Sequence, residues 1–447
     1  MIERTGRPTA RQWGLDGRLL VADPRVVAAG AIAAATLLAV MLRPRGVAEA
    51  ASALAGGALI VVAGAVGPLE AAGLLLDAWN VFAFFLGLML IAAAADHAGV
   101  FDVLAWQAAR HAGGSQRRLL VNVFASGVVL TAFLSNDATA LILTPVVYTL
   151  VVRLGLPARP YAFACTFVAD TASFLLPVSN PINILVLQRF PQPLGSYLQH
   201  LLPASLAAIA INVGAFLLLF RADLRRGFDV AALPRPAALE RSPRLFRFTV
   251  LGLGALGGAY LLAAWQGWPL GTVALAGAAV LLGGAARWGE LAAAQLAREV
   301  SWGLFGFLAG FLVIVRGVEN AGLTDLLGRS LAALAGADPL RTTLAAVLAA
   351  AVGANLVNNV PATLIQLAAI DSLPAEAPRA LLAYGTIVGA DLGPNLTTVG
   401  SLATVLWLLI LRRRGLEVTA TDYFRVGLAT TPAMLVAAAV ALWLTGG

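Results

Sequence analysis

Apolar runs close to the ~20 residues that cross a bilayer recur along the chain, separated by short polar loops. They fall at about 26–42, 50–68, 79–98, 160–190 and 200–220, and again at about 248–265, 269–287, 302–323, 379–411 and 424–444. Two further stretches, 119–152 and 342–372, are apolar arms on either side of a polar tip. Each arm is short for a full crossing, so both read as re-entrant hairpins. The first tip is Ser135-Asn136-Asp137 and the second Asn358-Asn359-Val360.

The pattern is duplicated. FAFFLGLMLIAAAADHAGVFD at 82–102 lines up with FGFLAGFLVIVRGVENAGLTD at 305–325, 223 positions later. Asn136 falls on Asn359 at the same offset, and Ala169-Asp170 falls on Ala390-Asp391 at 221. Each copy holds five spans and one hairpin, and an odd number of crossings inverts the second copy against the first. The expected fold is an all-α polytopic membrane protein of two inverted-topology repeats. Each repeat has about five transmembrane helices, a re-entrant hairpin and a discontinuous helix. The expected divisions are a polar tail (1–25), a first repeat (26–220), an Arg-rich linker (221–247) and a second repeat (248–447).

Composition agrees. Sixty per cent of the 447 residues are hydrophobic, 12% are charged, and the mean hydropathy is +0.86. The net charge of +7 does not point to nucleic acid, because all 30 basic residues are Arg and they gather in loops. Clusters at 43–45, 110–118, 153–159, 221–247, 287–298 and 412–414 mark one face as cytoplasmic by the positive-inside bias, leaving both termini on the other side. The five Arg of the N-terminal tail run against that orientation. The run 26–42 followed by Ala48-Glu49-Ala50 looks like a cleavable signal, but the tail before it is long and the repeat needs it as a span. One cysteine, Cys165, and three His without ligand spacing offer neither a disulfide nor a metal centre. No cofactor loop is present.

Two polar interruptions accompany the hairpin tips. ADTASFLLPVSNPIN carries Asp170, Ser179 and Asn180; its mate, ADLGPNLTTVGSLAT, carries Asp391, Thr398 and Ser401. Pro and Gly break both helices, and unwound backbone at membrane depth is tolerated where it lines a cavity or is buried in protein. Hydrogen-bonding side chains and helix ends meeting there suit a small oxygen-rich solute: an oxyanion, a dicarboxylate or a neutral polyhydroxyl species. The candidate substrate-binding residues are Ser135, Asn136, Ser179, Asn180, Asn358, Asn359, Thr398 and Ser401. Lone Ser and Thr in membrane helices commonly bond their own backbone instead. Buried carboxylates are candidate proton carriers: Asp137, whose mate is Val360, and the symmetric Asp170 and Asp391. Asp96 and Glu319, also mates, read as caps or anchors, with Arg316 in reach of Glu319.

NDATALILTPVV at 136–147, DTASFLLPVSNPINI at 170–184, NNVPATLI at 358–365 and GADLGPNLTTVGSLATVLWL at 389–408 resemble the arsenite efflux permeases, the ArsB family of the ion-transporter superfamily. The likeness spans both halves. It implies export of arsenite, or antimonite, across the prokaryotic cell membrane in exchange for protons, and a possible association with an arsenite-stimulated ATPase. Ala138 stands where that family usually has Gly, and Asn395 where it usually has Lys. The second departure removes a cation and suits a neutral substrate. The alternative within the superfamily is a sodium- or proton-coupled carboxylate carrier or a sodium/proton antiporter. An intramembrane enzyme is disfavoured, since the spans hold no metal motif and no Ser–Lys or Ser–His pairing.

Overall fold

The computed structural model describes residues 24–42, 48–233, 235–237, 239, 242–288, 300–336 and 338–446. The expected N-terminal tail lies outside them but for its last two residues. The described residues are helical, apart from turns, loops and one isolated bridge between Ser115 and Gly227. In the first half the helices are α1 (Pro24–Leu42), α2 (Glu49–Val62), α3 (Pro68–Asp77), α4 (Trp79–His97), α5 (Val100–His111), α6 (Gln116–Phe133), α7 (Asn136–Ala138 continuing to Thr144–Arg153), α8 (Ala158–Thr171), α9 (Pro181–Arg189) and α10 (Leu194–Leu219). The second half gives α11 (Pro243–Gln266), α12 (Leu270–Trp288), α13 (Trp302–Asn320), α14 (Leu323–Ala335), α15 (Pro339–Val357), α16 (Asn359–Asp371), α17 (Arg379–Leu392), α18 (Leu402–Arg413) and α19 (Ala420–Gly446). Eight of them are long and apolar enough to span a membrane.

The duplication is visible element by element: α4 and α13 have the same length 223 residues apart, and α8 and α17 the same length 221 apart. Arms α6 and α7 form the first hairpin and α15 and α16 the second. The broken helices are α8–α9, interrupted by a 3₁₀ turn at Pro177–Ser179, and α17–α18, interrupted at Gly393–Asn395. Both breaks follow from proline and from short polar residues that bond their own backbone.

Inversion can be read from which ends meet. The end of α9 lies against the ends of α13 and α16, where Arg189 pairs with Glu319 and Asp371. The mates of these segments meet at the opposite face: Tyr148 and Thr149 near the end of α7 hydrogen-bond Arg414 just past α18. On that same face Arg159, at the start of α8, pairs with Asp422 at the start of α19, 2.7 Å apart. This is the Arg-rich side.

The halves are interlocked rather than side by side. Helix α2 packs on α13 of the other half, and α4 on α12. Close approach is allowed by small residues. A Cβ on Gly310 would sit 2.3 Å from the Ala53 backbone, and one on Gly87 2.6 Å from the Ala274 backbone. Outward-facing apolar residues such as Leu251, Leu218 and Val280, 74%, 70% and 59% exposed, are what a lipid-facing surface requires.

Candidate functional site

The two hairpin tips are the only non-glycine positions with positive φ among the described residues, Ser135 at 141° and Asn358 at 77°, and they are repeat mates. Such backbone is costly outside glycine and marks a constrained site. Each tip residue caps the helix that follows: the Ser135 hydroxyl accepts from the Ala138 N–H at 3.2 Å, and Asn358 Oδ1 from the Val360 N–H at 3.4 Å. One of two roles that the sequence left open is therefore occupied, since these oxygens are engaged with backbone. Asn358→Gly is expected to shift stability by no more than a few tenths of a kcal/mol, because cap loss and relief of positive φ oppose each other. Asn358→Val, β-branched at the same φ, should cost about 1–3 kcal/mol. Thermal midpoints in detergent check both, and a large loss in the Gly variant would show that the side chain does more than cap.

The first hairpin departs from its mate in one respect. Thr139–Leu143 is π-helical, whereas α16 is a regular α-helix. Pro145 explains this: its ring clashes with the carbonyl four residues back, and a widened turn relieves the clash. Ala368 occupies the mate position.

Each hairpin is tied to the break of its own half through mated positions. Ser179 donates to the Ala132 carbonyl at 3.4 Å, and the Asn359 N–H donates to the Gly400 carbonyl at 3.0 Å. Asn355, the mate of Ala132, donates to the Gly393 carbonyl at 2.7 Å and accepts from the Thr397 hydroxyl at 2.7 Å. Asn180 and Ser401, again mates, cap α9 and α18 through the N–H groups of Ile182 and Ala403. Asn183 bridges the first break by donating to the Ser173 carbonyl at 2.7 Å and the Leu176 carbonyl at 3.2 Å.

One contact joins the breaks of the two halves. Asn180 Nδ2 donates to Asp391 Oδ1 at 2.7 Å. Asp170 stands close enough to Asp391 and Asp137 to feel both charges, and the Asn136 amide faces it. Asp170 and Asp391 are 4% and 1% exposed, and the second carboxylate oxygen of each is buried without a protein partner. The Asn136 side-chain oxygen and both amide atoms of Asn395 are buried likewise. Three carboxylates thus lie among amides, with Ala140 of α7, Ala169 of α8 and Ala403 of α18 packed together beside them.

A cavity of about 480 Å³ reaches this cluster from the Arg-rich side. Glu49, Asp96 and Ser301 stand at its mouth, Phe85, Met89, Leu304 and Leu406 along its walls, and Ser135, Asp137 and Pro181 at its inner end. Asn136, Asn180, Asp170 and Asp391 lie just behind that end. Asn358, Asn359 and Ser401 are buried on the second-half side and do not line the cavity, nor does the half-buried Thr398. The structure therefore brings the first tip, the first break and Asp391 together, and leaves the second tip apart.

Sequence reasoning missed an ion cluster at the opposite face. Arg189 Nη2 lies 2.8 Å from Glu319 Oε1 and 2.7 Å from Asp371 Oδ2. Arg316 Nε lies 2.6 Å from Glu70 Oε1, and its Nη1 3.1 Å from Glu319 Oε2, the i,i+3 pair that the sequence did offer. Burial works against the Glu70 charge, but hydrogen bonds from Arg316 and Asn320 and the Arg316 charge hold its carboxyl below the usual range. The Glu70–Arg316 pairing spans 246 residues, beyond any local signal.

The sequence profile of the arsenical pump membrane proteins, ArsB, matches residues 28–445. An arsenical pump membrane protein of Yersinia enterocolitica is 32% identical over 420 residues, covering 93% of this chain and 98% of that one. One of Escherichia coli K12 is 32% identical over 422 residues with the same coverage. An uncharacterised transporter of Mycobacterium tuberculosis is 28% identical over 378 residues, 82% of this chain and 86% of its own. Among solved structures, the YdaH transporter of Alcanivorax borkumensis, described as having an unusual topology, shares the fold with a TM-score of 0.52, at 16% identity over 84% of this chain and 86% of that one.

Proposed function

The chain belongs to the arsenical pump membrane protein family, a multi-pass transporter family of the cell membrane, and we propose that it exports arsenite, and antimonite, in exchange for protons by alternating access. One observation carries this reading: a cavity on the Arg-rich side ends on Asp137, with the buried carboxylates Asp170 and Asp391 and amide side chains behind it, and no Arg among its described lining residues. Arsenious acid is largely neutral near pH 7 and has three hydroxyls that donate and accept. A site of amides and carboxylates without a cation suits it better than it suits an oxyanion or a dicarboxylate.

Asn136, at the constrained tip, and Asn180, on the bridge to Asp391, are the residues from which substrate recognition is built. Ser135 and Ser179 hold the tip and the break in register. Asn358, Asn359 and Ser401, with Thr398 beside them, supply the same framework in the second half. Asp391 and Asp170 carry the coupling proton, with Asp137 as the carboxylate nearest the cavity. Weak hydrogen bonding lets the substrate leave, which a multi-thiolate trap would not. A rigid-body motion of helices about the cluster exposes the site to the two sides in turn. The Arg-rich linker 221–247 and the neighbouring loops give a basic cytoplasmic face on which a separate arsenite-stimulated ATPase would dock.

Everted vesicles with an imposed proton gradient test this. Wild type should accumulate arsenite, and Asn136→Ala should cut the initial rate roughly tenfold or more, the worth of one or two buried hydrogen bonds. Accumulation of a carboxylate with sodium, and none of arsenite, would overturn the substrate assignment.

A further inference from the structure

We propose that the ion cluster Arg189–Glu319–Asp371 with Arg316–Glu70 is the outer gate of the transport path, and that α9 links it mechanically to the Asn180–Asp391 contact. The proposal rests on the alternating-access reading above, but its test does not depend on the substrate.

The placement argues for it. Every pair except Arg316–Glu319 crosses between the halves: Arg189 from the first binds Glu319 and Asp371 of the second, and Arg316 from the second binds Glu70 of the first. Asn320 reinforces the crossing by donating to the Ala65 carbonyl at 2.9 Å. Gln188 donates to the Asp77 carbonyl at 2.7 Å. The described lining of the cavity, by contrast, includes none of these residues and reaches Asp96 and Ser301 toward the other face. Opening outward requires the Arg189 contacts to separate, while α2 stays packed on α13.

The repeat sharpens the point. If the cluster were only a packing device of the fold, inversion would place its counterpart on the cytoplasmic face. The mates of Arg316, Asp371 and Arg189 are Ala93, Tyr148 and Ile410, none of which can form an ion pair. Only Glu319 keeps an acid, Asp96, and Asp96 and Ala93 line the open cavity. The mated positions therefore cannot rebuild this cluster on the Arg-rich face, and the ion pair found there, Arg159–Asp422, uses other residues.

The link to the site is α9 itself. This nine-residue helix is capped by Asn180, which holds Asp391, and ends at Arg189, which holds Glu319 and Asp371. A rigid helix transmits a tilt at one end to the other. Release of Asp391 by Asn180 and release of the outer acids by Arg189 are then two ends of one motion. Arg189 is a positioning residue: it acts on the site through α9 without touching it.

The test measures access. In a Cys165→Ala background, Ala138→Cys places a single thiol at the inner end of the cavity, and a membrane-impermeant maleimide is applied to right-side-out and to everted vesicles. With Arg189 intact, labelling should be fast in everted vesicles and slow in right-side-out ones. Arg189→Gln removes two partly exposed pairs and should speed external labelling roughly fivefold to tenfold, while Arg189→Lys should stay within about twofold, since it keeps the charge. Should Arg189→Gln not fold, Glu70→Gln, which opens the Arg316 arm, should raise external labelling about threefold. External labelling unchanged in a folded variant that still labels from inside overturns the gate, as does an equal rise with Arg189→Lys. Failure of arsenite accumulation with normal gating would fault the substrate assignment alone.

Discussion

Asp391→Asn is expected to cut proton-driven arsenite accumulation by roughly one to two orders of magnitude, the worth of a buried hydrogen bond to a charged group. The substitution is nearly isosteric and keeps an oxygen for Asn180 to donate to, so the helix break should survive. What it removes is a group able to take and release a proton in the middle of the cluster, where no Arg is at hand. Asp170→Asn should behave alike, because its carboxylate shares the same buried surroundings and the same shortage of donors. Asp137→Asn should be milder, since Asp137 lies on the cavity wall and makes no bridge to the other half. The measurement is the initial rate in everted vesicles with and without the gradient, alongside gel filtration to show folded protein. Coupled accumulation within twofold of wild type in the Asp391 variant would remove Asp391 from the proton path.

Gly310→Val is expected to abolish recovery of monodisperse protein, and Gly310→Ala to lower the thermal midpoint clearly. A Cβ at Gly310 would lie 2.3 Å from the Ala53 carbonyl carbon and oxygen, and 2.8 Å from the Leu54 nitrogen. These are backbone atoms, which cannot turn aside. Overpacking a core typically costs about 1–3 kcal/mol when side chains can adjust, and here a whole helix must shift. The gain in helix propensity from Gly to Ala, about 1 kcal/mol, is too small to offset it. Gly214→Ala is the control, because nothing lies within 4 Å of its added Cβ and propensity alone should act. A Gly310→Ala midpoint equal to wild type would refute the close packing of α2 on α13.

Much of the architecture was legible because the bilayer leaves few choices. A span must be apolar for some twenty residues, so helix positions follow from hydropathy, and backbone breaks announce themselves through Pro, Gly and polar clusters. The inverted repeat followed from counting spans between aligned blocks. Roles within the polar clusters were less legible, because a side-chain oxygen can face a ligand or cap its own helix with the same sequence around it. Ser135, Asn358, Ser401 and Asn180 all resolve partly toward capping. The π-helical turn before Pro145 was likewise unreadable, since the mate hairpin carries its own proline, Pro361, at a different position and is regular. The pairing of Glu70 with Arg316 and the crossed packing of α2 with α13 depend on how the halves meet, which no local pattern encodes.

The crossed packing has a consequence for synthesis. When α4 leaves the ribosome, the groove at Gly87 is shaped for α12, which does not yet exist. At ~5–20 residues per second, roughly ten to forty seconds pass between the emergence of Gly87 and that of Ala274. Throughout that interval the first half must hold an unfilled seam at Gly87. Neither half is a module that finishes before the other begins: the nascent chain waits, knitted on one side only, until its second copy arrives to close the weave.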